Sequence, residues 1–149
     1  MDSRTTSALR DFGLLLIRGI IAAVLMFHGS QKLFGWFEGP GMEGFTAVLV
    51  GMEKIPKPEI AAYLAAGTEF FGGLLLLLGF LTRLVAIPVA FNMYVAAIVV
   101  HGGAFSLQKQ GMEYALTLAV VATALIFTGA GRFSVDGCLW REKTPPPGG

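Results

Sequence analysis

The first apolar stretch of the chain, Asp11–Phe34, reads DFGLLLIRGIIAAVLMFHGSQKLF. A transmembrane helix needs about 20 mostly apolar residues, and this stretch is long enough to be one. It nevertheless contains Arg18, and it ends with His28 and Lys32. Charged groups at membrane depth are costly and usually functional, so these three residues are the first site candidates.

Three more apolar stretches have spanning length, namely Ile60–Phe80, Leu84–Val100 and Tyr114–Ala130. The 149 residues are 54% hydrophobic and only 14% charged, whereas about a quarter of the residues in a soluble domain are charged. This composition predicts an all-α integral membrane protein, a four-helix bundle. We expect residues 1–10 to form an N-terminal cytoplasmic tail, residues 11–136 the transmembrane domain, and residues 137–149 a flexible C-terminal tail.

One long connection, Glu38–Glu59, joins the first two spans and is rich in glycine and proline. Within it, Met42–Glu53 is apolar but too short to cross a bilayer. Such a segment suits a short interfacial or re-entrant helix between helices one and two. It could cover whatever the bundle holds, or it could rest in the lipid headgroups as a plain connector.

The distribution of lysine and arginine predicts an orientation. Six of these residues lie in the two tails and between spans two and three, and four lie on the opposite side. Because positive residues are enriched in cytoplasmic loops, we expect a multi-pass cell-membrane protein with both termini in the cytoplasm. The ends of spans one and three and the start of span four would then face outward.

Two charged residues lie deep within the predicted spans, Arg18 in the first and Glu69 in the second. A lone charge at mid-bilayer is costly, whereas an arginine–carboxylate pair can satisfy both groups. We therefore predict a buried ion pair between Arg18 and Glu69. Gly72 and Gly73, one turn further along, would let helices one and two approach closely. The pair could serve a function or only lock the bundle.

Further polar residues lie at the predicted outer ends of the spans. Helix one ends there with His28 and Lys32, helix three ends with His101, and helix four begins with Glu113 and Tyr114. We expect them to form one polar pocket, covered by the short helix of the long loop. Such donors and proton carriers suit the carbonyl oxygens of a quinone.

Helix three carries Asn92 and ends at His101. At about 100° per residue, these two positions lie on opposite sides of an ideal helix. They are therefore not expected to line one narrow pocket.

The single cysteine, Cys138, limits the chemistry of this chain. Without a CxxC or CxxCH motif, dithiol exchange and covalent c-type haem are excluded. Haem ligation by His28 and His101, or zinc bound by these two and Glu113, would rest on long-range spacing without a local motif, and we predict no metal. No basic and aromatic cluster indicates nucleic-acid binding.

Four groups of residues together resemble the DoxX family of small four-helix membrane proteins. They are Arg18 with HGxxK at His28–Lys32, EFFGGLLLLLGFLTR at Glu69–Arg83, HGGAF and GMEYAL at His101–Phe105 and Gly111–Leu116, and GAGRFSVD at Gly129–Asp136. The resemblance covers about residues 11–136, with Val135 where leucine is commoner. DoxX-like proteins are similar to DoxD, a membrane subunit of a thiosulfate:quinone oxidoreductase.

The resemblance implies a membrane subunit associated with quinone-linked or sulfur-compound redox metabolism. No flavin, iron–sulfur or molybdenum signature is present in the sequence, so electrons would have to come from a partner oxidoreductase subunit, soluble or membrane-bound. The other expected partners are the lipid bilayer, a quinone and a second copy of the chain. Two alternatives stay open, a scaffold or anchor subunit without catalysis of its own, and a small-solute or proton pathway. No residue is assigned a catalytic role. The polar residues that match the family pattern are Arg18, His28, Lys32, Glu69, His101, Glu113 and Tyr114.

Overall fold

The computed structural model describes the chain from Ser3 to Trp140, with side chains from Thr5 onward, and this part is helical without strands. Its α-helices are α1 (Ser3–Phe34), α2 (Gly41–Val50), α3 (Pro58–Leu78), α4 (Thr82–Val95), α5 (Glu113–Thr128) and α6 (Val135–Leu139). A π-helix, Ala96–Val100, continues α4, and a 3₁₀ turn, Leu107–Lys109, precedes α5. The predicted all-α class is confirmed.

The four longer helices form a bundle whose core is made of small and aliphatic side chains. Three segments of the described chain are long and apolar enough to cross a membrane, Thr5–Phe34, Pro58–Leu78 and Thr82–Val100. The fourth, α5, is apolar but has 16 residues, which makes it about 24 Å long against about 30 Å of hydrocarbon. The core residues include Ile21, Leu25, Leu76, Val89 and Leu125. The predicted four-helix bundle with a short helix between the first two spans is confirmed.

Glycines fix the antiparallel register of α1 and α3. A Cβ added to Gly29 of α1 would lie 2.5 Å from the backbone nitrogen of Phe70, and one added to Gly73 of α3 would lie 2.9 Å from Cγ of Met26. The two backbones are therefore in close contact, as predicted for Gly73. A Cβ on Gly72 would instead lie 2.8 Å from Cγ2 of Val89 on α4.

The segment after α5 folds back onto the turn between α3 and α4. The carboxylate of Asp136 accepts hydrogen bonds from the backbone nitrogens of Leu81 at 2.7 Å and Thr82 at 2.9 Å. Its own backbone nitrogen donates to the carbonyl oxygen of Gly79 at 2.9 Å. In the predicted tails, residues 3–10 are the first turns of α1, residues 137–139 belong to α6, and residues 141–149 lie outside the described residues.

Candidate functional site

An ion pair between α1 and α3 lies at the centre of the candidate site. Nζ of Lys32 is 2.5 Å from Oε1 and 2.6 Å from Oε2 of Glu69, whose carboxylate is almost fully buried. The register set by Gly29 and Phe70 brings these two positions to the same level of the bundle. Nδ2 of Asn92, on α4, lies 3.4 Å from Oε1 of the same glutamate.

The structure does not bring Arg18 and Glu69 together, so the predicted pairing is wrong. Arg18 precedes Lys32 by 14 positions, or about 21 Å of helix. Arg18 is 1% exposed, and its guanidinium donates to the carbonyl oxygens of Ala130 and, at 2.6 Å, Phe133. Depths counted from the two span ends gave the wrong axial register, because the register depends on where the two helices touch.

An apolar cavity of about 460 Å³ opens beside the ion pair, between α2, α3 and α4. Its polar lining is confined to Lys32, Glu69, Thr68, Asn92 and His101, and the rest is apolar. The apolar lining includes Phe45, Leu49, Leu64, Pro88, Phe91 and Val95.

The short helix α2 covers this cavity with Phe45 and Leu49. Nζ of Lys32 lies 4.9 Å from the centroid of the Phe45 ring, which is within the range of a cation–π contact. The prediction that the long loop forms a cover over a site in the bundle is in accord with this arrangement. The covering helix α2 therefore contacts the same lysine that pairs with Glu69.

A smaller cavity of about 120 Å³ lies on the side of α1 and α5 and shares Lys32, Glu69 and His101 with the larger one. It adds His28 and Tyr114, whose ring centroids are 6.1 Å apart. The sequence placed His28, Lys32, His101 and Tyr114 in one pocket, and all four line this cavity. The smaller cavity thus brings two further polar side chains, His28 and Tyr114, close to the ion pair.

Glu113 was predicted in the same pocket but has another environment. Its Oε1 accepts a hydrogen bond from the backbone nitrogen of Leu107 at 2.7 Å, and it does not line either cavity. The carboxylate instead holds the loop before α5. Spacing alone did not reveal this partner, because the partner is a backbone group in an irregular segment.

Asn92 and His101 both line the larger cavity, which corrects the expectation that they face opposite ways. The chain between them forms the π-helix Ala96–Val100, in which the nitrogen of His101 donates to the oxygen of Ala96 at 3.0 Å. A π-helix has more residues per turn than an α-helix, so it rotates every later residue relative to an ideal α-helix.

The backbone of the loop before α5 fixes the ring of His101. Nδ1 lies 3.1 Å from the carbonyl oxygen of Gln110. A carbonyl oxygen only accepts, so Nδ1 is the donor in this contact, and Nε2 is the nitrogen that remains for another partner. Within the residues described, no group of three or more His, Cys, Asp or Glu side chains could hold a metal ion.

Asn92 was expected to hydrogen-bond to a neighbouring helix, as it does, but it was not predicted in the site, and Glu69 was assigned to the wrong partner. Nδ2 of Asn92 lies 3.4 Å from Oε1 of Glu69 and also 3.4 Å from the carbonyl oxygen of Ala65 on α3. A polar residue at membrane depth in the third span was the available signal.

Comparison with known proteins is in accord with this fold. Residues 13–102 match the family model described as DoxX, and this chain belongs to the DoxX family. It is similar to "Putative oxidoreductase CatD" of Bacillus subtilis, with 31% identity over 133 residues, covering 89% of this chain and 91% of the relative. It is also similar to "Inner membrane protein YphA" of Escherichia coli, with 30% identity over 138 residues, covering 85% and 94%. No solved structure matches it. The protein is a multi-pass membrane protein of this family.

Proposed function

We propose that this chain is a quinone-binding membrane subunit of an oxidoreductase. The observation that supports the proposal most strongly is the position of the Lys32–Glu69 pair at the polar end of an otherwise apolar cavity. A ligand with a polar ring and an apolar body matches that division of the lining. A quinone supplies two-electron, two-proton redox chemistry when bound.

The residues of the cavity fit such a group. Its volume of about 460 Å³ lies within the usual range for small-molecule sites, about 300–1,000 Å³. Lys32 has three N–H donors, and its contacts with the two oxygens of Glu69 leave one of them for a ring oxygen. Nε2 of His101 can hold a second polar group of the ring, and Phe45 can pack on its face.

We call the part of the larger cavity at the Lys32–Glu69 pair the head site, and the larger cavity the head cavity. The smaller cavity would connect the head site with the end of the bundle. His28, His101 and Tyr114 carry exchangeable protons around the same ion pair. By the charge distribution of the sequence, this end faces outward and both termini are cytoplasmic. A cell-membrane location agrees with the name of the Escherichia coli relative, and a redox role with the name of the Bacillus subtilis relative.

Electrons would pass to or from a partner chain, soluble or membrane-bound, because the sequence has no motif for a resident electron carrier. The apolar cavity beside the ion pair favours this proposal over a plain scaffold, in which the pair would only stabilise the bundle. Affinity purification followed by identification of the retained chain tests the partner.

Calorimetric titration of the purified protein in detergent tests the head site. The probe is a tailless benzoquinone with two methoxy and two methyl groups on the ring. We expect saturable binding, weakened about tenfold or more in Lys32→Met, because one charge-assisted hydrogen bond is lost. Lys54→Met, at an exposed lysine before α3, is the matched control and should bind like the wild type.

Equal binding by the wild type and Lys32→Met would overturn the proposal, as would no binding to the wild type. Asn92→Leu provides a second variant if Lys32→Met does not fold. It keeps the ion pair but removes the neighbouring amide, and we expect a smaller loss of affinity.

A further inference from the structure

A second apolar hollow continues the larger cavity along the outside of the bundle. This hollow, about 310 Å³, lies between α3 and α4, and it shares Leu64, Thr68 and Pro88 with the larger cavity. We call this second hollow the α3–α4 groove. Together with the larger cavity it extends along α3 from Ala61 to Leu75, which corresponds to about 21 Å of helix.

The groove exists because two features remove side-chain bulk from neighbouring helix faces. Gly67 of α3 lies in its floor, and a Cβ added there would meet nothing within 4 Å. Pro88 interrupts the face of α4 at the same place. The open sides carry Leu64 and Phe71, which are 65% and 56% exposed and therefore face the lipid in a membrane.

We propose that the α3–α4 groove binds the polyprenyl tail of the same quinone whose ring lies at the Lys32–Glu69 pair. This inference rests on the proposed function and adds the ligand class, a long-chain lipid-soluble quinone. The larger cavity and the groove lie side by side, since Leu64, Thr68 and Pro88 line both. A substituent on a ring in the larger cavity would therefore have a mainly apolar path out of the site. The path leads into the bilayer, and the ligand would enter sideways from the lipid.

Chain length gives the first test. The tailless quinone and its decyl analogue, which differ only in that chain, are titrated into wild-type protein reconstituted in lipid nanodiscs. Binding is measured as displacement of a fluorescent quinone-site inhibitor. Burying the decyl chain in the groove should strengthen binding of the decyl analogue.

Filling the groove gives the second test and removes the effect of partitioning into lipid, because the same ligands are compared between variants. Gly67→Leu places a side chain in the open floor, where its Cβ meets no neighbour within 4 Å. We expect it to weaken binding of the decyl analogue about tenfold and to leave the tailless quinone unaffected. Gly19→Leu is the matched control, since a Cβ at Gly19 of α1 also meets nothing within 4 Å and lies outside the groove.

The outcomes separate this inference from the proposed function. If the tailless quinone binds and Gly67→Leu binds the decyl analogue as tightly as the wild type does, the groove is not the tail site and the head site remains. If neither quinone binds to any variant, the proposed function fails and this inference fails with it. Equal weakening by Gly67→Leu and Gly19→Leu would also overturn the assignment of the groove.

Discussion

The side chains of Lys32 and Glu69 form an ion pair between α1 and α3, with Nζ 2.5 Å from one carboxylate oxygen and 2.6 Å from the other. The glutamate side chain is 4% exposed and the lysine 23%. Removal of either charge leaves the other in a site poor in water. The pair should therefore stabilise the bundle as well as form the head of the cavity.

The first prediction concerns this coupling. Lys32→Met should lower the free energy of unfolding by about 3 kcal/mol or more, because the buried carboxylate of Glu69 loses its cation. The double variant Lys32→Met/Glu69→Met should lose less stability than the sum of the losses in the two single variants, by about 1–3 kcal/mol. Unfolding of the purified variants in mixed micelles measures all three values. Strictly additive effects would show that the two charges do not interact.

The second prediction concerns Arg18. Its guanidinium donates to the carbonyl oxygens of Ala130 and Phe133, so it fastens the segment after α5 to α1. Arg18→Met should lower the free energy of unfolding by about 3 kcal/mol, since one buried and one partly buried hydrogen bond from a charged donor are removed. Arg10→Met is the matched control, because the side chain of Arg10 is 71% exposed, and its effect should stay within about 0.5 kcal/mol. Equal stability of the two variants would contradict this role.

The third prediction concerns the close contact at Gly29. A Cβ there would lie 2.5 Å from the backbone nitrogen of Phe70, and a backbone cannot move aside as a side chain can. Gly29→Ala should therefore destabilise the bundle by about 1–3 kcal/mol. Gly19→Ala, in the same helix but with open space around the added atom, should be neutral or stabilising by up to about 1 kcal/mol. Thermal unfolding distinguishes the two, and a stable Gly29→Ala protein would refute the register.

The fourth prediction separates two residues that the sequence placed in one pocket. His28 lines the smaller cavity with Tyr114, whereas the carboxylate of Glu113 accepts from the nitrogen of Leu107. We expect His28→Ala to weaken binding of the tailless quinone severalfold, and Glu113→Gln to leave it nearly unchanged, because an amide oxygen can still accept that bond. The same calorimetric titration measures both. The reverse order of effects would place Glu113 at the ligand after all.

The helices could be predicted from the sequence because each has its own long apolar run, and composition alone indicates the membrane. The polar end of the bundle could also be predicted, since His28, Lys32, His101 and Tyr114 occur where spans one and three end and span four begins. Side-chain spacing gives the angular position of a residue on its own helix, and little more. It does not give the axial register between helices, and that is why Glu69 was paired with Arg18 instead of Lys32.

Local irregularity accounts for the remaining differences. The π-helix Ala96–Val100 changes the direction of His101, and no simple apolar pattern marks it. The partner of Glu113 is a backbone nitrogen in a loop, which leaves no trace in residue spacing. The groove between α3 and α4 depends on how the two helices pack around Gly67 and Pro88, a property of the packed bundle.

Photolabelling of the reconstituted protein with an azido-quinone tests whether a quinone ring lies at the Lys32–Glu69 pair. Peptide mass spectrometry then locates the attached label. We expect label on α2, on Ala61–Glu69 of α3 and on Pro88–His101, and unlabelled decyl quinone should prevent it. Lys32→Met should lose this protected labelling, and Lys54→Met should keep it. Label confined to other helices, or label on these segments that excess quinone does not reduce, would contradict a quinone site at the Lys32–Glu69 pair.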